Sequence, residues 1–245
     1  MDLPRSIVVP AYKEEKFIAS TLQQLHDYLR AEDLLQTTEV IVVTADAPDE
    51  TQAITASKIR IFPYHQHVQP GPRAGKGRDV KAGLRVAKGE LTLFMDADLA
   101  TPLHHVLPAF EALKKTGGVV IGVRNLDTMH KTFVRKLSSR LSNTIIRLFI
   151  GWNISDSQCG FKGFDRHALT TILQRSQVMG WGFDFEFIKI AKLHNLPISM
   201  INISDWHDPK PEGTGLSGDS QFTAMKQTLS ELLQVKKRQI KGEYK

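Results

Sequence analysis

Asp96 and Asp98 stand one residue apart in "LTLFMDADLATP" (91–102), directly behind an apolar run. Alternate residues leaving a strand can both reach one hard divalent cation. Mg2+ or Mn2+ held by one or two carboxylates then completes its shell with phosphate oxygens and water, which suits a nucleoside diphosphate. The bland alternative is a pair of surface acids at a helix start, where Asp is favoured; the apolar run before them argues against it. Upstream, "GPRAGKGR" (71–78) looks like a phosphate-binding loop. Its glycines permit close backbone approach, amides opening a helix attract anions, and Arg73, Lys76 and Arg78 add positive charge. As a P-loop it fails, because one residue is missing between the glycines and neither Ser nor Thr follows Lys76. The alternative is a basic surface turn.

Two further stretches carry groups that could do chemistry. Asp184 and Glu186 alternate with aromatics in "GFDFEF", as a strand or a helix start would. In "KTFVRKLSSRLSNTIIRLFIGW" (131–152), Phe133, Leu137, Leu141, Ile145 and Phe149 recur every four residues, and Lys131, Arg135, Lys136, Arg140 and Arg147 add positive charge with no acid. A basic amphipathic helix of this kind can lie in a membrane interface, each basic residue adding about 1 kcal/mol from anionic lipid. It would bring Arg135 and Arg140 to a lipid phosphate; the alternative is a helix packed on the protein's own core. The single cysteine, Cys159, reads as a small packing residue, since no second cysteine or paired histidine accompanies it.

These groups need a scaffold, and the chain supplies the pattern of one. "SIVVP", "TEVIVVTAD", "IRIFPYH" and "LTLFMDA" read as strands, separated by helix-like segments; Phe17, Thr21, Leu25, Tyr28 and Leu29 share one face of the first. Continuous apolar strands alternating with helices predict an α/β fold with a mostly parallel sheet covered on both faces. Ligands of such sheets bind beyond the carboxyl ends of the strands, so "PAYKEE", "TADAPDE" and "DAD" should share one crevice. The 245 residues, 41% hydrophobic and 24% charged, fit one folded catalytic domain over 1–210, with a nucleotide-binding half (1–100) and an acceptor half (101–210). A Gly-rich loop and a basic C-terminal helix follow over 211–245. The net charge of +6 favours anionic partners. One cysteine, no apolar run long enough to span a bilayer and no signal-peptide pattern point to a cytoplasmic protein that meets a membrane only at its surface.

Together, "IVVPAYKEEKFI", "GKGRDVKAGLRVAKGELTLFMDADLATP", "ISDSQCGFKGF" and "WGFDFEFI" resemble the family 2 glycosyltransferases of GT-A (nucleotide-diphospho-sugar transferase) fold. Within them the chain is most similar to the dolichyl-phosphate glucosyltransferase and polyprenyl-phosphate mannosyltransferase branch, in collinear order from about residue 5 to 208. The resemblance implies an inverting hexosyltransferase with an NDP-sugar donor (UDP-glucose or GDP-mannose), Mg2+ or Mn2+, and a polyprenyl phosphate acceptor, with no nucleic acid partner. It implies that Pro10, Ala11, Tyr12 and Glu14 line the nucleotide pocket with Arg73 and Lys76. Asp96 and Asp98 should hold metal and diphosphate, Asp98 being the first choice as direct ligand and His207 a third. Arg124 in "GVRN" should neutralise phosphate charge, and Asp156 and Gln158 are candidates for donor or metal contacts. Where relatives carry two adjacent acids after the second strand, this chain has Thr44 and Ala45, so either Asp46 or Asp49 takes the base contact or the base is held differently.

In relatives acting on sugar hydroxyls, an acid near Asp184 and Glu186 is the expected general base. A phosphate acceptor, with a second pKa of about 6, arrives already ionised and dispenses with one. Asp98, Arg124, Asp184 and Glu186 are therefore the catalytic candidates, and Asp184 has the alternative of an ion pair with Arg124 or Arg140. Other functions compete: a soluble or glycan acceptor, an inactive nucleotide-binding relic, or a sugar-phosphate nucleotidyltransferase, which would want glycines where this chain has "PAYKEE". "MDADLA" also approximates the haloacid-dehalogenase phosphatase signature, but Ala100 replaces its Thr or Val and it follows the fourth strand rather than the first.

Overall fold

The computed structural model describes residues 3–124, 159–207 and 230–245. Its frame is a seven-stranded sheet in the order β3-β2-β1-β4-β6-β5-β7. The strands are β1 (Arg5–Ala11), β2 (Thr38–Thr44), β3 (His65–Val68), β4 (Leu91–Met95), β5 (Val119–Arg124), β6 (Phe161–Asp165) and β7 (Ile198–Ile203). All described pairings are parallel except those of β6, which runs antiparallel to both β4 and β5. The mostly parallel α/β sheet expected from the strand pattern is thus present. β2, "TEVIVVT", is buried at every position, because a central parallel strand is covered on both faces.

The period-two alternation of the strands divides their side chains between two cores. Ile7, Val9, Val40, Val42, Leu93 and Met95 face one layer, with α1 (Ile18–Ala31) and α4 (Val106–Thr116). Val8, Ile41, Val43 and Phe94 face the other. That layer holds α3 (Lys76–Val86), α5 (Arg166–Arg175), α6 (Phe183–Leu193) and the helical residues 230–240, here α7. The short α2 (Thr51–Lys58) packs beside α1.

Two local expectations are adjusted and one open alternative is decided. α1 buries Ile18, Thr21, Leu22, Leu25 and Leu29; Phe17 precedes it and Tyr28 lies half-buried at the edge of that face, its hydroxyl accepting from Leu107 N at 3.2 Å. "IRIFPYH" opens as a 3-10 turn, Ile59–Ile61, and pairs as a strand only from His65, because Pro63 has no N–H to give the ladder. Of the two readings open for "GFDFEF", strand or helix start, the helix is the one observed. The C-terminal residues join the core, where Leu232, Val235 and Tyr244 are buried.

Candidate active site at the carboxyl edge of the sheet

β1, β2 and β4 run parallel, so the segments leaving Ala11, Thr44 and Met95 emerge at one edge. Tyr12–Glu14, Asp46–Asp49 and Asp96–Asp98 meet there, as the strand-end argument requires. α3 delivers Lys76, whose Nζ lies 2.6 Å from Asp96 Oδ1. Burial alone would lower the Lys76 ammonium, but Asp96, Asp184 and Asp98 outweigh it and hold the group above the usual lysine range. Lys76 also sits 5.4 Å from the Trp181 ring centroid.

The acids crowd one another. Burial, followed by the charge of Asp96, raises the Asp98 carboxyl above the ordinary aspartate range, although Ala100 N donates to its Oδ1 at 3.0 Å. Glu14 is pushed up to about 7 by burial first and by Asp98 and Asp96 next. The loop carrying the acids is held in place on several sides. Thr21 Oγ1 donates to Ala97 O at 2.5 Å, Asp96 N donates to Gly160 O at 3.0 Å, and His207 N donates to Ala100 O at 3.2 Å. Leu99 adopts a positive φ of 53°, a conformation that costs a non-glycine residue and recurs at functional sites.

Asp98 and His207 line a common cavity of about 410 Å³ with Phe17, Thr21 and His104. Asp96 turns instead to Lys76, so Asp96, Asp98 and His207 do not close on one point; among the described residues only His104, His105 and Asp205 do. One carboxylate and one imidazole, supplemented by phosphate oxygens and water, still suffice for Mg2+ or Mn2+. The crowding of Glu14, Asp96 and Asp98 is a charge problem that a divalent cation relieves. The donor set therefore fits a metal at Asp98 and His207.

Around this centre, the Arg73 guanidinium stacks 3.6 Å over the Tyr12 ring, joining two of the expected donor contacts. Pro10 and Ala11 end β1 beneath them. Asp46 is exposed, and its Oδ1 accepts from Gln52 Nε2 at 3.3 Å while its N donates to Gly71 O. Asp49 is occupied with Thr51 Oγ1 at 2.8 Å, which in turn accepts from Glu14 N. Thr44, at the departure from the usual acid pair, contacts His67 Nε2 at 2.7 Å. Arg124 lies 5.0 Å over Trp206 at the end of β5.

Four expectations change. The amides opening α3 do not await a phosphate: Gly77 N donates to Gly180 O and Arg78 N to Met179 O, at 3.2 and 3.0 Å. Arg78 itself bonds Pro72 O. A Cβ on Gly77 would lie 2.6 Å from Phe183 Cβ, so this glycine serves helix docking rather than phosphate approach. Among the described residues Asp184 is paired with Lys162, at 2.5 Å, both buried; burial raises its carboxyl against the pull of that lysine. Glu186 is fully buried away from the crevice and accepts from Gln177 N, Val178 N and Tyr244 Oη at 2.9, 2.9 and 2.8 Å. On a helix the two acids diverge by about 200°, so only a strand would have aimed both at one ligand, and a catalytic role for Glu186 is withdrawn. Cys159 is buried, with Thr101 Oγ1 3.9 Å from its sulfur, as a packing residue. Gln158, Asp156, Arg135, Arg140 and the basic stretch 131–152 lie outside the described residues.

Sequence reasoning also missed Gly160 and Thr21. A Cβ at Gly160 would sit 1.8 Å from Asp96 Oδ2, so the glycine of "QCGFK" makes room for the first acid. The only sequence signal for it was its place in that motif.

Comparison with known proteins agrees with this geometry. The family model "Glycosyl transferase family 2" matches residues 6–173. A dolichyl-phosphate beta-glucosyltransferase of Trichomonas vaginalis is 30% identical over 225 residues, covering 87% of this chain and 68% of its own. The Drosophila melanogaster dolichyl-phosphate beta-glucosyltransferase is 30% identical over 222 residues, covering 82% and 66%. Glucosyl-3-phosphoglycerate synthase from Mycobacterium tuberculosis, solved with Mn2+, UDP and glucosyl-3-phosphoglycerate, superposes with a TM-score of 0.67 at 21% identity, over 94% of this chain and 79% of that one, a likeness of fold. With the strand-end acids, the sheet order and the family match in agreement, this chain belongs to glycosyl transferase family 2 and is a glycosyltransferase of GT-A fold.

Proposed function

We propose that the enzyme transfers glucose from UDP-glucose, with inversion, to a polyprenyl phosphate. The observation that carries the acceptor class is the commitment of both late acids: Asp184 to Lys162, Glu186 to two amides and a tyrosine hydroxyl. With neither spare to deprotonate a hydroxyl, an acceptor that is already an anion suits the site. The names of the relatives from Trichomonas and Drosophila support a dolichyl-type lipid and glucose, and the UDP of the structural neighbour supports the uridine donor.

In this mechanism the acceptor phosphate oxygen attacks the anomeric carbon opposite the leaving group. The bond from that carbon to the diphosphate oxygen breaks, and its electron pair leaves with the nucleoside diphosphate. A divalent cation, Mg2+ or Mn2+, at Asp98 and His207 would supply Lewis-acid stabilisation of the departing diphosphate. Lys76, kept ionised by Asp96, adds fixed positive charge at the same place. Tyr12 and Arg73 form a platform at the mouth of the nucleotide pocket, with Asp46 on the base side. Arg124 serves the acceptor phosphate together with Arg135 and Arg140 of the basic stretch 131–152, whose charge would draw the enzyme to the cytoplasmic face of a membrane. No helix among the described residues is long and apolar enough to cross one.

A panel of radiolabelled UDP- and GDP-sugars with polyprenyl phosphate, detergent and Mg2+ or Mn2+ tests the proposal. Label from UDP-glucose should enter the lipid phase and EDTA should abolish the transfer. Label in water-soluble products alone would overturn the lipid acceptor; transfer from GDP-mannose alone would overturn the donor.

A further inference from the structure

We propose that His104, His105 and Asp205 form a second cation site, selective for borderline metals such as Zn2+ and Co2+ and separate from the Asp98–His207 pair. The two histidines end the 3-10 turn Leu103–His105 that leads into α4, and Asp205 lies in the turn after β7. Their ligand atoms all fall within 4.8 Å of one another. His104 Nε2 is 3.1 Å from Asp205 Oδ2, and His105 Nε2 is 2.7 Å from Asp205 Oδ1. In a tetrahedral zinc shell with bonds of about 2.0–2.1 Å, neighbouring ligand atoms lie roughly 3.3 Å apart. Small shifts of these side chains thus admit an ion.

The donor set decides which ion. Two imidazoles and one carboxylate suit Zn2+, Co2+, Ni2+ and Cu2+, whereas Mg2+ and Mn2+ prefer oxygen. Three protein ligands, of which His104 and Asp205 are exposed, leave a position for water, the pattern of open zinc sites. His105 is preplaced, its side chain only 11% exposed, while His104 (63%) and Asp205 (45%) give the ion an entry path. A plain ion pair would need only His105; here adjacent residues aim both Nε2 atoms at one carboxylate, with the rings 4.2 Å apart. The site would tie the turn before α4 to the segment carrying His207, and His104 also lines the cavity that Asp98 and His207 share. An ion at this site would therefore pin one wall of that cavity without entering it.

The full chain, stripped with a chelator, is titrated with Co2+ by visible absorption and with Zn2+ by calorimetry, in the wild type and in Asp98→Asn, His104→Ala and Asp205→Asn variants. Asp98→Asn disables the other pair, and His104 is exposed enough that its alanine variant folds, which circular dichroism checks. The proposal expects about one equivalent of Co2+ bound by Asp98→Asn with d–d absorption, and affinity reduced at least about tenfold in His104→Ala and Asp205→Asn. A Zn2+-dependent rise in Tm should appear in the wild type and Asp98→Asn and vanish in Asp205→Asn. Binding that is lost in Asp98→Asn but kept in the other two would place the ion elsewhere. No Co2+ or Zn2+ binding by the wild type would reduce Asp205 to an ion-pair partner. Either result overturns the proposal.

Discussion

Asp98 is desolvated, repelled by Asp96 and poised beside His207, so its carboxylate is worth more to a bound cation than to the empty fold. Asp98→Ala should lower transfer by at least about 10²-fold while Tm stays within about 3 °C of the wild type; assay and thermal melt on the same preparation check both. Glu14 offers a pH test. Its carboxyl is raised from 4.5 to about 7 in the folded protein, so between those values the folded state holds a proton that the unfolded state has lost. The stability this contributes is complete below pH 4.5 and is lost as pH rises through about 7. The Tm of metal-free Glu14→Gln should therefore gain on the wild type from pH 4.5 to 7 and run parallel above it; a constant difference would mean that Glu14 titrates normally. Asp96, Asp98 and Lys76 were legible as a group because acids behind an apolar strand and a basic helix start are local patterns. Glu186 was misplaced for the same reason: acids two apart aim together on a strand but oppositely on a helix, and the letters fit either.

At the scale of elements, the antiparallel strand decides the site. β6 meets the crevice with its amino end, so Gly160 abuts Asp96 and Lys162 reaches Asp184 from beneath. Gly160→Ala should cost about 1–3 kcal/mol through overpacking, and should depress transfer further than its Tm predicts, because the atom displaced is the Asp96 carboxylate. Melting and steady-state rates decide the point: wild-type values for both would mean that position 160 has room to spare. Nothing in "DSQCGFKGF" announced a strand of reversed direction, since strand sense depends on the partner rather than on the segment itself. The basic turn at 71–78 shows the same limit. Its glycines and cations read as a phosphate loop, yet the carbonyls that take its amides come from Met179 and Gly180, far along the chain.

Across the whole molecule, the two layers and their strands followed from apolar runs and period-two alternation, whereas the fastening of the C-terminal residues did not. Tyr244 is buried, and its hydroxyl supplies Glu186 with a donor, so Tyr244→Phe should cost about 1–3 kcal/mol and leave transfer per folded molecule unchanged. An unchanged Tm would show that Glu186 needs no hydroxyl. The seal between α3 and the 178–180 segment has another consequence. Lys81 Nζ finds its acceptor, Val178 O, 97 residues later, and at about 5–20 residues per second a ribosome takes on the order of 5–20 s to supply it. Through that interval the nascent nucleotide half carries a buried-to-be lysine and a Gly77 amide whose acceptors, Val178 O and Gly180 O, have yet to be made.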